Sequence, residues 1–188
     1  MHEVALRILA GTATREAART DRAAVPVLSM AEDHYVRVFL RVTEGARRAD
    51  AALAQVGYAW ATREGGVATG PSPPATGGPW AGPLWLGPLH DQELLDSMLG
   101  DAGGPRGNRL ERSLEAWREE AGLPPLLLDV NRMAGRLKLP TPRMDGLIDA
   151  LRARGHVAGR AHTNPVGVKT DATAGVVEEL IRELADQA

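Results

Sequence analysis

The sequence of 188 residues contains no cysteine, which excludes disulfide bonds and any zinc or iron–sulfur site with cysteine ligands. Aromatic residues make up only 4%, and of the 22 basic residues only Lys138 and Lys169 are lysines. No apolar run has the length and flanks of a signal peptide or a membrane span, which predicts a soluble, cytoplasmic protein. The 44% of hydrophobic residues is enough to form a packed core.

The first 42 residues change from a helical to a strand pattern. Apolar residues at helical spacing predict a helix over residues 3–20. A short apolar run at 25–30 predicts a strand, and residues 33–42 alternate strictly, which is typical of a strand with one buried face. The apolar face of this second strand consists of Val36, Val38, Leu40 and Val42. The short link between the two runs predicts a hairpin, and hence an α/β (α+β) fold with antiparallel strands.

The middle of the sequence is interrupted by turn-forming residues. A helix is predicted over 44–56 and a strand over 57–61, followed by a loop over 63–82 that is rich in Gly, Pro, Thr and Ser. After a short apolar run, Asp91 is the predicted N-cap of a helix that ends at Leu99. A second break is predicted at 101–107, and an amphipathic helix over 108–121.

Residues 126–170 have the layout of a winged helix. Asp129 is expected to cap or begin a first short helix. Thr141 is the predicted N-cap of a second helix, with Pro142 at its first position, and this helix ends at Gly155. The two wing strands are predicted at 156–162 and 166–170, with the turn at Asn164–Gly167. A final amphipathic helix is expected over 172–185.

This winged unit contains most of the unbalanced positive charge. Between Asn131 and Lys169 there are six arginines and two lysines against two aspartates, an excess of six, whereas the whole chain has a net charge of −2. Such a concentration predicts a polyanionic partner, most simply nucleic acid. Charged residues also line ordinary solvated helix faces, so the excess, and not any one residue, supports phosphate contact. The predicted contact residues are Arg132, Arg136, Lys138, Arg143, Arg152, Arg154, Arg160, His162 and Lys169.

No side chain in the sequence makes a convincing catalytic candidate. Asp33 and His34 are neighbours on a strand and therefore point to opposite faces. His90 follows a Gly-Pro turn and is interpreted as part of a helix cap together with Asp91. Trp80 and Trp85 flank a Gly-Pro loop where an exposed ring could stack on a base. Trp85 is expected in the core, and Trp117 in the core or at a domain contact.

Four segments, in this order and at this spacing, resemble one protein family. They are His2-Glu3-Val4-Ala5-Leu6-Arg7-Ile8-Leu9, Asp33-His34-Tyr35-Val36-Arg37-Val38-Phe39, Gly82-Pro83-Leu84-Trp85-Leu86-Gly87-Pro88-Leu89, and His162-Thr163-Asn164-Pro165-Val166-Gly167-Val168-Lys169-Thr170-Asp171. Together they look like the C-terminal half of the tRNA (guanine-26-N2) dimethyltransferases of archaea and eukaryotes. The basic winged unit lies between the last two segments, which makes the match specific.

The resemblance implies a class I S-adenosylmethionine-dependent enzyme that methylates the N2 atom of a guanine in tRNA. The family's cofactor loop and catalytic motif precede the segment that matches His2-Glu3, so neither cofactor-binding nor catalytic residues are expected here. Residues 1–60 are then expected to be the last helix and strands of a Rossmann-like methyltransferase domain. Residues 61–188 are expected to form a helix-rich, tRNA-binding C-terminal domain. The expected partners are tRNA and an upstream catalytic half, on the same or a separate polypeptide.

Two other functions are compatible with the sequence, and one metal site known in the family is excluded. A winged-helix DNA-binding regulator would explain the basic unit but not the first three matching segments. A structural remnant without a function of its own is the third hypothesis. Some members of the family have a cysteine zinc ribbon where this sequence has Tyr58 to Trp80, and the lack of cysteine excludes that site. No metal is therefore expected.

Overall fold

The computed structural model describes residues 2–32, 35–75, 78–101 and 108–186. Its elements, in chain order, are α1 (His2–Ala18), β1 (Arg22–Glu32), β2 (Tyr35–Glu44), α2 (Ala46–Leu53), β3 (Val56–Ala61), β4 (Val67–Gly70), β5 (Trp80–Trp85), α3 (Gln92–Asp101), α4 (Arg109–Glu120), β6 (Leu128–Asp129), α5 (Val130–Leu137), α6 (Met144–Ala153), β7 (Ala158–Ala161), β8 (Asn164–Thr170) and α7 (Ala174–Asp186). None of the described helices is both long enough and apolar enough to cross a membrane.

The first helix packs closely against the backbone of β5. Leu6 and Ala10 are completely buried and belong to one apolar cluster with Trp85. At Gly11 a Cβ atom would lie 2.9 Å from the backbone nitrogen of Trp85, so only glycine permits this approach of helix and strand. The helix predicted for residues 3–20 is confirmed, and so is the core position of Trp85.

The strands β1 and β2 pair as an antiparallel hairpin, as the alternating pattern predicted. Its register shifts between Pro26 and Leu28, where proline supplies no amide proton to the ladder. On β2 the side chains of Val36 and Val38 are half-buried, whereas Phe39 and Val42 are exposed. The face with Val36 and Val38 is covered by α1 and α2, whereas on the opposite face Leu28 packs against Leu95 and Leu114 and Phe39 stays exposed. The predicted pair Asp33 and His34 lies outside the described residues.

The strand β3 is the centre of a three-stranded antiparallel sheet, between β4 and β5. The sequence indicated a continuous loop over 63–82, so β4 was missed. It is four residues long and follows two glycines, and its order depends on pairing with β3. The predicted boundary between residues 60 and 61 falls inside β3, which places residues 56–61 in one sheet with the segment that follows.

Two helices between the sheet and the C-terminal part begin with side-chain caps, of which the cap at Asp91 was predicted. The Asp91 carboxylate accepts a hydrogen bond from the amide of Leu94 at 3.2 Å, at the start of α3. The Asn108 side chain accepts one from the amide of Glu111 at 2.8 Å, at the start of α4. These bonds satisfy amides that have no partner within the helix. Of the break predicted at 101–107, residues 102–107 lie outside the described chain.

Residues 128–186 form a unit with its own apolar core, here termed the C-terminal unit. It contains α5, α6, the hairpin β7–β8 with β6 added to the outer edge of β8, and α7. The core face of α6 consists of Met144, Leu147, Ile148 and Leu151, which are all buried. They pack against Val177, Leu180 and Ile181 of α7 in a single cluster.

Two local predictions in this unit were wrong. Thr141 does not cap α6, because its hydroxyl is hydrogen-bonded to the side chain of Asn131; the helix begins at Met144 without a side-chain cap. The hairpin does not turn at Asn164–Gly167 either. It turns at His162–Thr163, and β8 already begins at Asn164, whose side chain accepts a bond from the amide of Val166.

Candidate nucleic-acid interface

The basic face of α5 is the most exposed group of predicted contact residues. The Asp129 carboxylate caps this helix by accepting a hydrogen bond from the amide of Arg132 at 2.9 Å. Arg132 and Arg136 follow one turn apart on the solvent side, and Lys138 ends the helix in a left-handed conformation. The helix itself contains no acidic residue. Three cations therefore lie close together on one exposed surface.

Acidic residues elsewhere offset several of the other predicted cations. Arg136 pairs with Glu178 of α7 at 2.9 Å, and Arg154 pairs with Glu179 at 3.3 Å and also with Glu183. These acids lie outside the sequence window in which the excess of six was counted. They are close in space because α7 packs across α5 and α6.

The remaining surface cations divide into paired and unpaired ones. Arg160 pairs with Asp145 at 2.7 Å, and Arg152 donates to the carbonyl of Ala158 at 3.0 Å. Within the described residues, the side chains of Arg132, Lys138 and Arg143 have no hydrogen-bond or ion-pair partner; all three are exposed. These three cations are free to meet an anion from solution.

Lys169 and His162 are not on the surface at all, which corrects the sequence-based expectation of an accessible wing. Lys169 is 2% exposed, and its ammonium group lies 2.7 Å from Glu3 and 2.6 Å from Glu120. The His162 side chain is 6% exposed and hydrogen-bonded to Glu120. A side chain in such a position cannot reach a phosphate, so neither residue fits the predicted grip on an RNA backbone.

Lys169 instead belongs to a buried ionic network. Glu3 pairs with Arg7 at 2.9 Å and accepts a hydrogen bond from the amide of Leu126, also at 2.9 Å. The Arg7 guanidinium donates in turn to the carbonyl of Trp85 at 2.9 Å. Glu3, which the sequence suggested merely packs or faces solvent, thereby connects α1 with the C-terminal unit through Lys169.

The second half of the network surrounds Glu120, at the end of α4. Its carboxylate accepts hydrogen bonds from both the amide and the Nδ1 atom of His162, at 2.6 and 2.7 Å. Burial opposes ionisation of this carboxyl group, but the bond from His162 and the charge of Lys169 hold its pKa well below the usual range. Glu120 is therefore a carboxylate at neutral pH, matched by Lys169.

His90 completes this buried cluster. Its ring lies 5.3 Å from that of His162 and is stacked on Trp117 at 6.1 Å, measured between centroids. Burial, together with the nearby His162, lowers its pKa from 6.5 to about 3, so the ring is neutral. Asp91 forms the predicted cap, whereas His90 is a core residue. Trp117 is half-buried, consistent with the expected packing role.

The cluster also raises the question of a metal, which the sequence did not suggest. His90, Glu120 and His162 offer ligand atoms that lie within 4.8 Å of one another. Two imidazoles and a carboxylate are suitable zinc ligands. However, one Glu120 oxygen lies 2.6 Å from the Lys169 ammonium and the other accepts from His162, so a divalent ion would replace existing bonds beside a cation. We interpret Glu120 and His162 as part of a buried hydrogen-bonded network, against which the His90 ring packs without a hydrogen-bond partner in the described structure. His90 and Glu120 are 30 residues apart in the sequence, and Glu120 and His162 are 42 residues apart, so sequence analysis could not bring these three side chains together.

Of the two tryptophans beside the Gly-Pro loop, Trp80 is the accessible one. It is 50% exposed, and its ring meets that of Tyr58 edge to face at 5.4 Å between centroids. The C-terminal unit and the β3–β5 sheet thus present an exposed aromatic ring and three unpaired cations. These are features that nucleic-acid-binding surfaces combine.

Comparisons with known proteins agree on one family. A family model described as "N2,N2-dimethylguanosine tRNA methyltransferase" matches residues 1–182. The chain is 38% identical over 190 residues to the tRNA (guanine(26)-N(2))-dimethyltransferase of Thermococcus kodakarensis, covering 97% of this chain and 49% of that protein. It is 37% identical over 191 residues to the enzyme of the same name from Natronomonas pharaonis, covering 95% and 52%.

A solved structure supports the same grouping. Trm1 from Pyrococcus horikoshii, determined as a complex with S-adenosyl-L-methionine, superposes with a TM-score of 0.85 at 34% identity. The match covers 96% of this chain and 49% of that one. The chain thus spans about half the length of the relatives that it matches. It belongs to the N2,N2-dimethylguanosine tRNA methyltransferase family.

Proposed function

We propose that this chain is the tRNA-binding part of a tRNA (guanine-N2) methyltransferase, and that it holds tRNA for a separate catalytic half. The observation that carries the proposal is the basic side of α5, a helix without an acidic residue of its own, with Arg132 and Lys138 exposed and unpaired within the described chain. A cationic surface of this kind binds the phosphate backbone irrespective of sequence. Modification of a guanine at position 26, and its dimethylation, follow for this chain from the family alone.

The C-terminal unit is, in this proposal, a winged-helix-like module that binds RNA mainly through α5. A DNA regulator would insert the second helix of the pair, α6, into the major groove. The exposed residues of α6 include two aspartates, Asp145 and Asp149, against one arginine, Arg152, so this helix lacks the excess of positive charge that α5 has. The charge distribution therefore favours backbone contact through α5 over base reading through α6.

The chemistry of methyl transfer has to come from elsewhere. A class I enzyme binds S-adenosylmethionine at the carboxyl ends of parallel strands, after a glycine-rich turn into a helix. All three sheets in the described residues are antiparallel, and no described strand leads into a helix through such a turn. The residues that the structure describes do not fit the cofactor. We derive no catalytic step from them.

The catalytic half would dock on the uncovered surface of α1, α2 and the β1–β2 hairpin. Large apolar side chains are exposed there, namely Ile8, Leu9, Val25, Phe39, Val42 and Leu53. Several such residues on one part of a surface are typical of an interface with another domain. A methyltransferase sheet extended by this hairpin would also pair its free edge.

A titration with tRNA tests the binding proposal. We expect affinity to fall by about 10³ or more between roughly 50 and 200 mM salt if about six phosphates are contacted. Arg132→Ala and Lys138→Ala should each lower the salt slope by about one. Arg47→Ala, an exposed arginine on α2, is the control and should leave the slope unchanged.

A methylation assay on the same preparation tests the division of labour. With labelled S-adenosylmethionine and unmodified tRNA, the chain alone should transfer no methyl group, and addition of a family catalytic domain should permit transfer. Methylation by the chain alone would show that the catalytic half is not needed. Salt-independent affinity, or equal losses in all three variants, would contradict the role of α5.

A further inference from the structure

A groove runs between the β3–β5 sheet and the C-terminal unit, and the contacts described so far leave it open. Its larger part has a volume of about 640 Å³ and its smaller part about 250 Å³. The two parts share Ala61, Val67, Leu127, Asp129 and Arg132, so they form one continuous depression. This size lies within the range of ligand pockets. We term it the interlobe groove.

The walls of the larger part are mainly apolar. They are formed by Val4 of α1, by Ala59, Ala61 and Ala81 of the sheet, and by Leu126 and Leu127 ahead of β6. Ala61 and Val67 are directly paired across β3 and β4, and both are exposed. An exposed apolar wall of this kind favours a ligand with a flat or apolar body.

Two residues of the same wall have polar atoms without a partner. The second carboxylate oxygen of Glu3, Oε2, and the hydroxyl of Thr163 are buried and accept or donate no hydrogen bond in the described structure. The Glu3 side chain is only 4% exposed, and its other oxygen already serves Arg7, Lys169 and Leu126. Buried polar atoms normally have partners, and an unmade bond costs about 1–3 kcal/mol. A ligand that donates N–H groups would satisfy both atoms.

The smaller part of the groove is cationic. Arg63 from the β3–β4 turn, Arg132 and Arg136 all line it. In the described chain neither Arg63 nor Arg132 pairs with an acid, and Asp129 is occupied as the cap of α5. One end of the groove thus attracts an anion, while the other accepts an apolar ring with hydrogen-bond donors.

We propose that the interlobe groove binds one unpaired nucleotide of the RNA. The base enters the apolar part, where its N–H groups meet Thr163 and Glu3, and the adjoining phosphate lies between Arg63 and Arg132. This inference rests on the proposed function and adds to it a subsite for a single-stranded nucleotide, distinct from the backbone contacts of Lys138 and Arg143. Single-stranded RNA combines a flat ring, N–H donors and a phosphate.

Binding of a fluorescein-labelled single-stranded RNA decamer, compared with tRNA, tests the subsite. Ala61→Phe fills the groove with a ring, and Thr163→Val removes the hydroxyl at nearly constant volume. We expect Ala61→Phe to weaken binding of the decamer about tenfold, the loss expected of one stacked base. Thr163→Val should weaken it about fivefold, the loss of one hydrogen bond.

The control is Ala51→Phe, which adds the same ring at an exposed position on α2 and should leave both affinities unchanged. Thermal unfolding of each variant shows that the fold is retained. If the wild-type chain binds tRNA and decamer but Ala61→Phe and Thr163→Val bind equally well, the subsite is wrong and the tRNA-binding proposal stands. Suppose that the wild-type chain binds the decamer but not tRNA, and that Ala61→Phe binds the decamer more weakly. The subsite then stands and the proposed function fails. If the wild-type chain binds neither RNA, both fail.

Discussion

Replacement of Lys169 by methionine should destabilise the protein more than any surface charge substitution. The ammonium group lies within 2.7 Å of Glu3 and 2.6 Å of Glu120, and all three side chains are at least 95% buried. Without it, two buried carboxylates retain Arg7 and His162 as their remaining partners. Removal of one member of such a buried ionic group costs about 3–5 kcal/mol. For a chain of this size that corresponds to a melting temperature lower by about 6–20 °C.

Urea unfolding, followed by circular dichroism at pH 7.5, measures this difference in free energy. Arg160→Met is the matched control, because Arg160 pairs with Asp145 on the surface, and it should cost less than about 1 kcal/mol. Adding Glu120→Gln to Lys169→Met should recover part of the loss, since the buried charges of Glu3 and Arg7 then balance each other. A cost below about 1 kcal/mol for Lys169→Met alone would refute the network as a stabilising feature.

Three further results are expected. His90 has a folded pKa of about 3 against 6.5 unfolded, so the unfolded state binds the proton first. Stability should therefore be complete above pH 6.5 and fall below it, by about 3 kcal/mol at pH 4.5. The urea midpoint of the wild type should drop relative to that of His90→Phe as the pH is lowered, and a difference between the two midpoints that does not change with pH would refute this. Asn108→Ala removes the cap of α4 and should cost about 1 kcal/mol in the same assay; an unchanged midpoint would show that the cap is dispensable. Leu147→Ala, in the core of the C-terminal unit, should cost about 2–5 kcal/mol, with Leu110→Ala on the exposed side of α4 as its nearly neutral control.

Elements with a strong local signal were predictable from the sequence. The strict alternation over residues 33–42 became β2, and the caps at Asp91, Asn108 and Asp129 mark helix starts because one side chain satisfies one nearby amide. Local structure was predicted wrongly where a side chain or strand has its partner in a distant part of the sequence. Thr141 has the right neighbours for a cap, but its hydroxyl is bonded to Asn131, ten residues away, and β4 is ordered only by its pairing with β3.

The candidate interface was predictable only in part, because charge was counted along the chain and not in space. The window from Asn131 to Lys169 identified α5 correctly as basic. It could not reveal that Glu178 would approach Arg136, or that Lys169 would be enclosed by Glu3 and Glu120. The burial of Lys169 could have been suspected from the sequence, because it follows Val168 inside a strand pattern. A lysine at a core-facing strand position needs a buried acid, and such acids can be sought elsewhere in the sequence.

The position of Glu3 has a consequence for the order in which the molecule forms. Its helix is synthesised before its second cation, Lys169, which lies 166 residues further along the chain. Until residue 169 is available, burial of α1 against the sheet leaves a carboxylate short of one partner, and the docked helix is not yet at its full stability. The N-terminal helix and the C-terminal unit therefore become stable together and not one after the other. Unfolding should follow the same rule, with both ends released in one cooperative step.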